Sequence, residues 1–312
     1  GKAFIPMLMG FGCTVPAVMG TRILSSMRDR LVTLTMTPFM SCGARLPVYA
    51  LFATAFFAKS GSNIVFLLYL IGIVVAICTG LIMKRTLLKG EPVPLILEIP
   101  PYHLPILKNI LRSTWDRLHG FIVRAGVLIV PLVIVLNVLN AVDIKGNAVP
   151  ADESVLSSVG KAVTPVFRPL GITDENWPAT VGLFTGVMAK EAVIGSLDAL
   201  YAATGDGETA GERLVEFFDG KIGAFAYLLF ILMYVPCLSA LGAIGKEFGA
   251  KWVGFTVLWT TGQAYALSTL FYQAATISRH TTFSLCWIAS VIAAEIAVYA
   301  LLRFLGNKGE QA

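Results

Sequence analysis

Three cysteines of this chain sit beside helix breakers in otherwise apolar sequence. Cys13 lies in Gly10-Phe11-Gly12-Cys13-Thr14-Val15-Pro16, Cys42 in Pro38-Phe39-Met40-Ser41-Cys42-Gly43-Ala44-Arg45-Leu46-Pro47, and Cys237 in Tyr234-Val235-Pro236-Cys237. A proline inside a helix leaves the carbonyl four residues earlier without its donor. For Pro16 that carbonyl belongs to Gly12, for Pro47 to Gly43, and for Pro236 to Leu232. The pattern predicts free carbonyl oxygens near thiol sulfurs. Sulfur with oxygen suits a borderline transition metal better than Na⁺, Mg²⁺ or Ca²⁺. Discontinuous membrane helices use such carbonyls and helix ends to hold cations. A lone cysteine is as readily a small buried hydrophobe. The Gly and Pro neighbours single these three out, whereas Cys78 and Cys286 lie in regular apolar stretches and read as packing groups.

Charges inside the apolar blocks come next, because they are costly in lipid. Arg45 follows the second cysteine cluster, where it either orients the site or donates to carbonyls freed by the helix break. Lys190 and Glu191 are adjacent, so on a helix they point about 100° apart and do not pair. Glu191 is a candidate cation ligand or proton acceptor; the competing reading is an ion pair with Arg45 or another cation. Glu295, Gln263 and Asn137 read as helix–helix hydrogen-bonding groups. The gating or pathway set is therefore Gly12, Pro16, Gly43, Arg45, Pro47, Lys190 and Pro236, around candidate metal-binding Cys13, Cys42, Cys237 and Glu191. His103, His119 and His280 have no zinc-enzyme spacing, and neither a nucleophile elbow nor a phosphate loop occurs. The chain carries no signature of a catalytic residue or of a bound cofactor.

The elements that must position these groups are membrane helices. The 312 residues are 56% hydrophobic and only 14% charged, with mean hydropathy +0.76. Soluble domains carry about 25% charged residues, so an ordinary soluble domain, a disordered chain and a nucleic-acid binder are all excluded. The five cysteines are odd in number and form no CxxC, which argues against a disulfide framework. An all-α, polytopic membrane protein is expected, with about seven spans and one broken or re-entrant element. Apolar blocks 3–21, 64–83, 125–142, 222–245, 252–277 and 283–302 are long enough to cross a bilayer. Blocks 31–58 and 177–201 are apolar but interrupted. Loops 21–30 and 84–124 are basic and read as cytoplasmic, while 143–176 has more acids than bases and reads as external. The acidic 203–221 and the basic residues near 246–251 and 303–308 fit the same rule only if 177–201 turns back. Residues 106–121 are amphipathic and read as a helix in the headgroup region. The first residue is Gly rather than Met, and a fragment of a longer chain is expected.

At the cysteine clusters the sequence closely resembles the bacterial ferrous-iron transport protein B family. Matching runs are Gly10 to Ala17, Asp29-Arg30-Leu31, Thr37 to Ala50, Asn176-Trp177-Pro178-Ala179-Thr180, Met188 to Val193 and Tyr234-Val235-Pro236-Cys237. Thr14 stands where the family pattern has Asn. The resemblance implies Gate repeats: 1–9 ending the first, 10–60 an inter-repeat segment, 61–121 a span with the amphipathic helix, 122–250 the second repeat and 251–312 the last spans. It implies the pore portion of a GTP-regulated Fe²⁺ importer of the bacterial inner membrane. Fe²⁺ would be the transported substrate, with GTP and Mg²⁺ only in an upstream G domain. Implied partners are the bilayer, that G domain, the small cytoplasmic ferrous-iron transport proteins A and C, and a second copy of the chain. Two other readings stand beside it, a nucleoside-like organic-solute symporter and a membrane scaffold with packing cysteines.

Overall fold

The computed structural model describes residues 3–90, 106–142, 154–203 and 210–309. Fourteen helices follow in chain order among them, with no strand. They are α1 (Phe4–Gly10), α2 (Thr14–Gly20), α3 (Met27–Met36), α4 (Leu46–Phe56), α5 (Gly61–Arg85), α6 (Leu107–Ala141) and α7 (Val155–Val163). The second half holds α8 (Trp177–Met188), α9 (Ala192–Ala203), α10 (Ala210–Phe217), α11 (Gly220–Met233), α12 (Leu238–Phe248), α13 (Ala250–Ala275) and α14 (Thr281–Gly309). The protein is an all-α, multi-pass membrane protein.

Four stretches are apolar and long enough to cross a bilayer: Met27–Phe56, Gly61–Arg85, Gly220–Phe248 and Thr281–Asn307. Two of them are discontinuous, α3 running through a break into α4 and α11 through a break into α12. α11 is the centre of the core. Every residue from Gly223 to Met233 is buried, so the helix has no polar face. Phe52 of α4 lies edge-on to Phe218 and against Tyr227 of α11, and Phe225 of α11 meets Phe271 of α13.

Two pairs of helices turn back instead of crossing. In α8–α9, Thr185 Oγ1 and Ser196 Oγ are 2.9 Å apart, and Tyr201 at the end donates to Asn176 at the start. Gly182 and Gly186 let the legs approach, facing Leu197 and Val193. This is the turned-back element that the loop charges demanded. The other hairpin was not anticipated. Block 3–21 reads as a span, yet α1 and α2 pack side by side, with Gly20 next to Pro6 and Met9. Seven-residue legs of about 10 Å each are too short to cross a core of about 30 Å.

Contacts sort the chain ends onto two faces. Arg22, after α2, forms a two-pronged bond to Glu247 at the end of α12, 2.8 and 2.6 Å. Arg28 donates to the Leu88 carbonyl after α5, 2.7 Å, and Lys89 to Asn307 near the end of α14. These ends carry the basic residues and lie on the side that the positive-inside rule assigns to the cytoplasm. On the opposite face, Arg279 after α13 holds Asp219 before α11 at 2.7 Å, and Phe56 of α4 meets Phe218. Gln273 of α13 donates to the Pro169 carbonyl there, 2.8 Å. Residues 143–153 and 204–209 of the expected external loops lie outside the described residues. Residues 107–121 do not form a separate surface helix. They continue without a break into the following apolar segment as α6, whose 35 residues give about 52 Å of helix.

Candidate functional site

The helices on this path are interrupted four times, and each interruption is followed by a new helix N-terminus. Cys13 is extended, φ −155° and ψ 135°, immediately before α2. Cys42 is extended, φ −77° and ψ 158°, before a single turn of 3-10 helix, Gly43–Arg45, that leads into α4. Cys237 is extended, φ −60° and ψ 157°, before α12. Ala189 is extended, φ −143° and ψ 122°, and Lys190 and Glu191 form the turn before α9. Each of the three cysteines thus takes the N-cap position. Helix N-termini expose N–H groups and carry positive partial charge, so they favour an anionic group there. The prolines serve as helix starters, because Pro16 and Pro47 lie in first turns, where no N–H partner is lost. Pro236 lies in the extended link itself.

For two of the three carbonyls, those of Gly12 and Gly43, this corrects the expectation that they are free. The Gly12 carbonyl accepts the Gly43 N–H at 3.1 Å, which joins the hairpin tip of α1–α2 to the break before α4. The Gly43 carbonyl accepts the Leu46 N–H. Arg45 is buried and its Nη1 donates to the Pro38 and Met40 carbonyls at 3.3 and 3.2 Å. No ion pair joins it to Glu191 among the described residues. Lys190 is buried as well. Its Nζ lies 3.0 Å from the Val235 carbonyl and 3.7 Å above the ring of Tyr234, and so pins the α8–α9 tip to the Cys237 break. Chain breaks this deep keep their polar backbone in protein hydrogen bonds, as the membrane requires.

The four breaks meet. Cys13 lies within electrostatic reach of Cys237, Cys42 and Glu191. Lys190 is within reach of Arg45, Cys42, Cys237 and Glu191. Cys42 is buried, Cys13 and Cys237 are half-buried, and Glu191 is exposed. Cys78 on α5 and Cys286 on α14 are exposed and take no part in this cluster. Among the described residues no three His, Cys, Asp or Glu side chains stand close enough to enclose one ion. The arrangement is a set of separate donors near two buried side chains, Arg45 and Lys190.

Three tyrosines belong to the same neighbourhood and were missed. Tyr49 Oη is 2.8 Å from Ser41 Oγ, one residue before Cys42. Tyr69 of α5 stacks on Phe11 at 6.0 Å between ring centroids, and Tyr49 meets Tyr69 edge-on at 6.5 Å. Tyr234 carries the Lys190 ammonium on its face. Tyr49 and Tyr234 sit inside the cysteine motifs and were readable there; Tyr69, in mid-helix, has no sequence signal. Of the groups read as helix–helix glue, Gln263 Nε2 reaches Glu295 at 3.0 and 2.9 Å and ties α13 to α14. The Asn137 side chain lies outside the described residues.

Two family models match the chain. The one described as "Nucleoside recognition" covers residues 1–56 and 122–251, and the one described as "Ferrous iron transport protein B C terminus" covers residues 65–117. The chain is 43% identical to the Fe(2+) transporter FeoB of Escherichia coli (strain K12), over 97% of this chain and 46% of that protein. Identity to the protein of the same name from Salmonella typhimurium (strain LT2) is 42%, with the same shares covered. The chain therefore spans about half the length of the curated relatives it matches. No solved structure matches it. The chain belongs to the ferrous iron transport protein B family and corresponds to its C-terminal membrane portion, built on the nucleoside-recognition (Gate) sequence.

Proposed function

We propose that the chain forms the path by which Fe²⁺ crosses the bacterial inner membrane. One observation carries the reading: three of the five cysteines occupy helix breaks around a common centre, and the other two face outward. Thiols and a carboxylate held singly, with no closed cage among the described residues, suit an ion that must leave as well as bind. Fe²⁺ stands low in the affinity series, and a permanent three-thiolate cage would favour Cu or Zn. Cys13, Cys42, Cys237 and Glu191 are proposed to pass the ion between them. Each thiol that binds releases its proton to water, so uptake rises with pH while iron stays reduced. Chain carbonyls are secondary donors here, since those of Gly12, Gly43 and Val235 already accept protein hydrogen bonds.

In the whole protein, GTP would act from an upstream G domain, with its Mg²⁺, on the basic loops 21–30 and 84–90. The small ferrous-iron transport proteins A and C would meet the same cytoplasmic face. The Arg22–Glu247–Arg30 group, 2.6 and 3.6 Å, lies where such pressure would be felt, because it ties the α1–α2 hairpin to α12. A second reading, a nucleoside-like symporter, draws on the description of the family model that covers 1–56 and 122–251. Vesicles carrying the protein and supplied with radiolabelled Fe²⁺ under reductant, or with radiolabelled nucleoside, separate the two. Saturable Fe²⁺ uptake without nucleoside uptake is expected. Nucleoside uptake alone overturns the iron reading.

A further inference from the structure

We propose that Val18, Leu34 and Ile244 form a closed apolar gate between the cysteine centre and the basic face, with the Arg22–Glu247–Arg30 ion pairs as its latch. The inference deepens the transport reading above and rests on it for the location of the path. Three helices build the gate, and each leads to one cysteine. α2 starts at Cys13 and α12 at Cys237, and both run to the basic face; α3 runs from that face towards the break that holds Cys42. Each helix gives one buried residue to a small apolar cluster separate from the main core, Val18, Leu34 and Ile244. One turn nearer the basic face, the same three segments each give one charged residue, Arg22, Arg30 and Glu247. Glu247 is held by Arg22 at 2.6 Å and by Arg30 at 3.6 Å, and the Arg30 guanidinium lies 5.3 Å over the Phe248 ring.

Exposure separates the two layers. Cys13 and Cys237 are half-buried, whereas Val18, Leu34 and Ile244 have no surface open to water. Val18 follows Cys13 by five residues and Ile244 follows Cys237 by seven, so about 8–10 Å of helix separates the sulfur centre from the closure. Nothing in the ring replaces a hydration shell. Its side chains are hydrocarbon, and the Val18 carbonyl already accepts the Thr21 hydroxyl at 2.6 Å. A dication would have to shed its water there without a substitute ligand, which is prohibitive. Hydrophobic constrictions of this kind close by excluding water. The latch bears on the same helices, because parting α2 from α12 breaks both hydrogen bonds between Arg22 and Glu247. The Arg22 side chain is more than half exposed, so the latch is weak and the apolar ring supplies most of the closure. A weak latch beyond a dry ring is a gate that contact on the basic face can release.

The test uses the whole natural protein that carries this chain, in bacterial membranes washed free of nucleotide. Spheroplasts and inverted vesicles are each treated with a membrane-impermeant maleimide, and labelling of Cys13, Cys42 and Cys237 is read by peptide mass spectrometry. A Ser25→Cys marker, in the exposed loop between α2 and α3, identifies the basic side. The variants are Leu34→Asn and Ile244→Asn, which draw water into the ring, and Ile244→Leu, which keeps it dry. Leu258→Ser, at an exposed position of α13, controls for general loosening. Labelling from the basic side should rise about tenfold or more in either Asn variant, the order expected when one buried aliphatic side chain of the closed state is lost. Ile244→Leu and Leu258→Ser should match the parent. If one Asn variant fails to fold, the other decides. Parent-like protection in a folded Asn variant overturns the proposal, as does an equal rise in Leu258→Ser. Labelling needs no iron, so radiolabelled Fe²⁺ influx under reductant, measured in parallel, judges the transport reading separately. If the parent carries no Fe²⁺ but the labelling pattern holds, the iron reading falls and the gate stands.

Discussion

The hairpins α1–α2 and α8–α9 begin on opposite faces of the molecule and bring their tips to one centre, but the tips differ in chemistry. The first carries Cys13 and joins its neighbour through backbone alone, Gly43 N–H to the Gly12 carbonyl. The second carries Lys190 and Glu191 and joins its neighbour through a long side chain, Lys190 to the Val235 carbonyl. The legs differ in the same sense. α8 is buried along most of its length, with Gly182 and Gly186 pressed against Leu197, Val193 and Tyr234. α1 leaves Phe4, Ile5 and Leu8 exposed. One backbone device thus serves two purposes. A backbone seam leaves the first tip free to present sulfur, whereas a side-chain seam places charge in the second.

The comparison breaks first at the thiols. Replacing Cys13, Cys42 or Cys237 by Ser keeps the volume and exchanges a soft donor for a hard one. Each replacement should lower Fe²⁺ uptake about tenfold or more at equal expression, while Cys78→Ser and Cys286→Ser stay within about twofold. Uptake by the five variants, normalised to folded protein, is the measurement. If all five match the parent, the tips differ in packing only.

The next largest effect separates the two buried basic side chains, Arg45 and Lys190. Arg45→Met leaves the Pro38 and Met40 carbonyls without their donor in the core. Losing charge-assisted bonds of this kind costs about 2–4 kcal/mol. Lys190→Met loses one carbonyl bond and a ring contact, about 1–2 kcal/mol. Thermal unfolding in detergent should rank them in that order, with Arg45→Lys recovering part of the loss. The reverse ranking would mean that the Lys190 seam matters more to the centre than the Arg45 bonds inside the second break.

How much of this was legible in the sequence follows from what a break looks like. Gly12, Pro16, Gly43, Pro47 and Pro236 mark the three cysteine breaks without help from structure, since each is a poor residue for a helix interior. Block 3–21 misled because two short apolar legs have the same hydropathy as one span. For 177–201 the loop charges on both sides exposed the reversal. The free carbonyls failed for another reason: the donor to Gly12 comes from Gly43, thirty-one residues away in the chain. Backbone pairing between two breaks leaves no trace in either one. Arg45 was read with two roles open, and the contacts match the one in which it donates to carbonyls of its own break.

Glycines sharpen the contrast between legs and tips. A Cβ on Gly186 would collide with Tyr234 Oη and Val193 Cγ2, both held by the core. Gly186→Ala gains about 1 kcal/mol of helix propensity and loses about 1–3 kcal/mol to overpacking, a net destabilisation. A Cβ on Gly12 meets nothing nearer than the Met9 carbonyl at 3.5 Å. Gly12→Ala should therefore unfold within about 0.5 kcal/mol of the parent. Equal losses at the two sites would show that the first tip is packed as tightly as the second leg.

The smallest effect concerns the outer face, where Asp219 accepts from Arg279 at 2.8 and 2.7 Å and from Tyr272 at 3.0 Å. The Arg279 hydrogen bond holds the Asp219 carboxyl below its ordinary value of 3.8, against the opposing effect of partial burial. A folded-state value below the unfolded one stabilises the fold at every pH above the ordinary value. That contribution is lost as pH falls through the depressed value, where the folded carboxylate finally takes a proton. Asp219→Asn should therefore melt slightly below the parent at neutral pH, and the gap should close below about pH 4. Arg279 is more than half exposed, so added salt should shrink the gap as well. A gap that persists unchanged into acid would mean that Asp219 acts through its geometry at the start of α11 rather than through its charge. The tie between α11 and α13 would then be a packing contact, unlike the charge-bearing tip of the hairpin that begins on the same face.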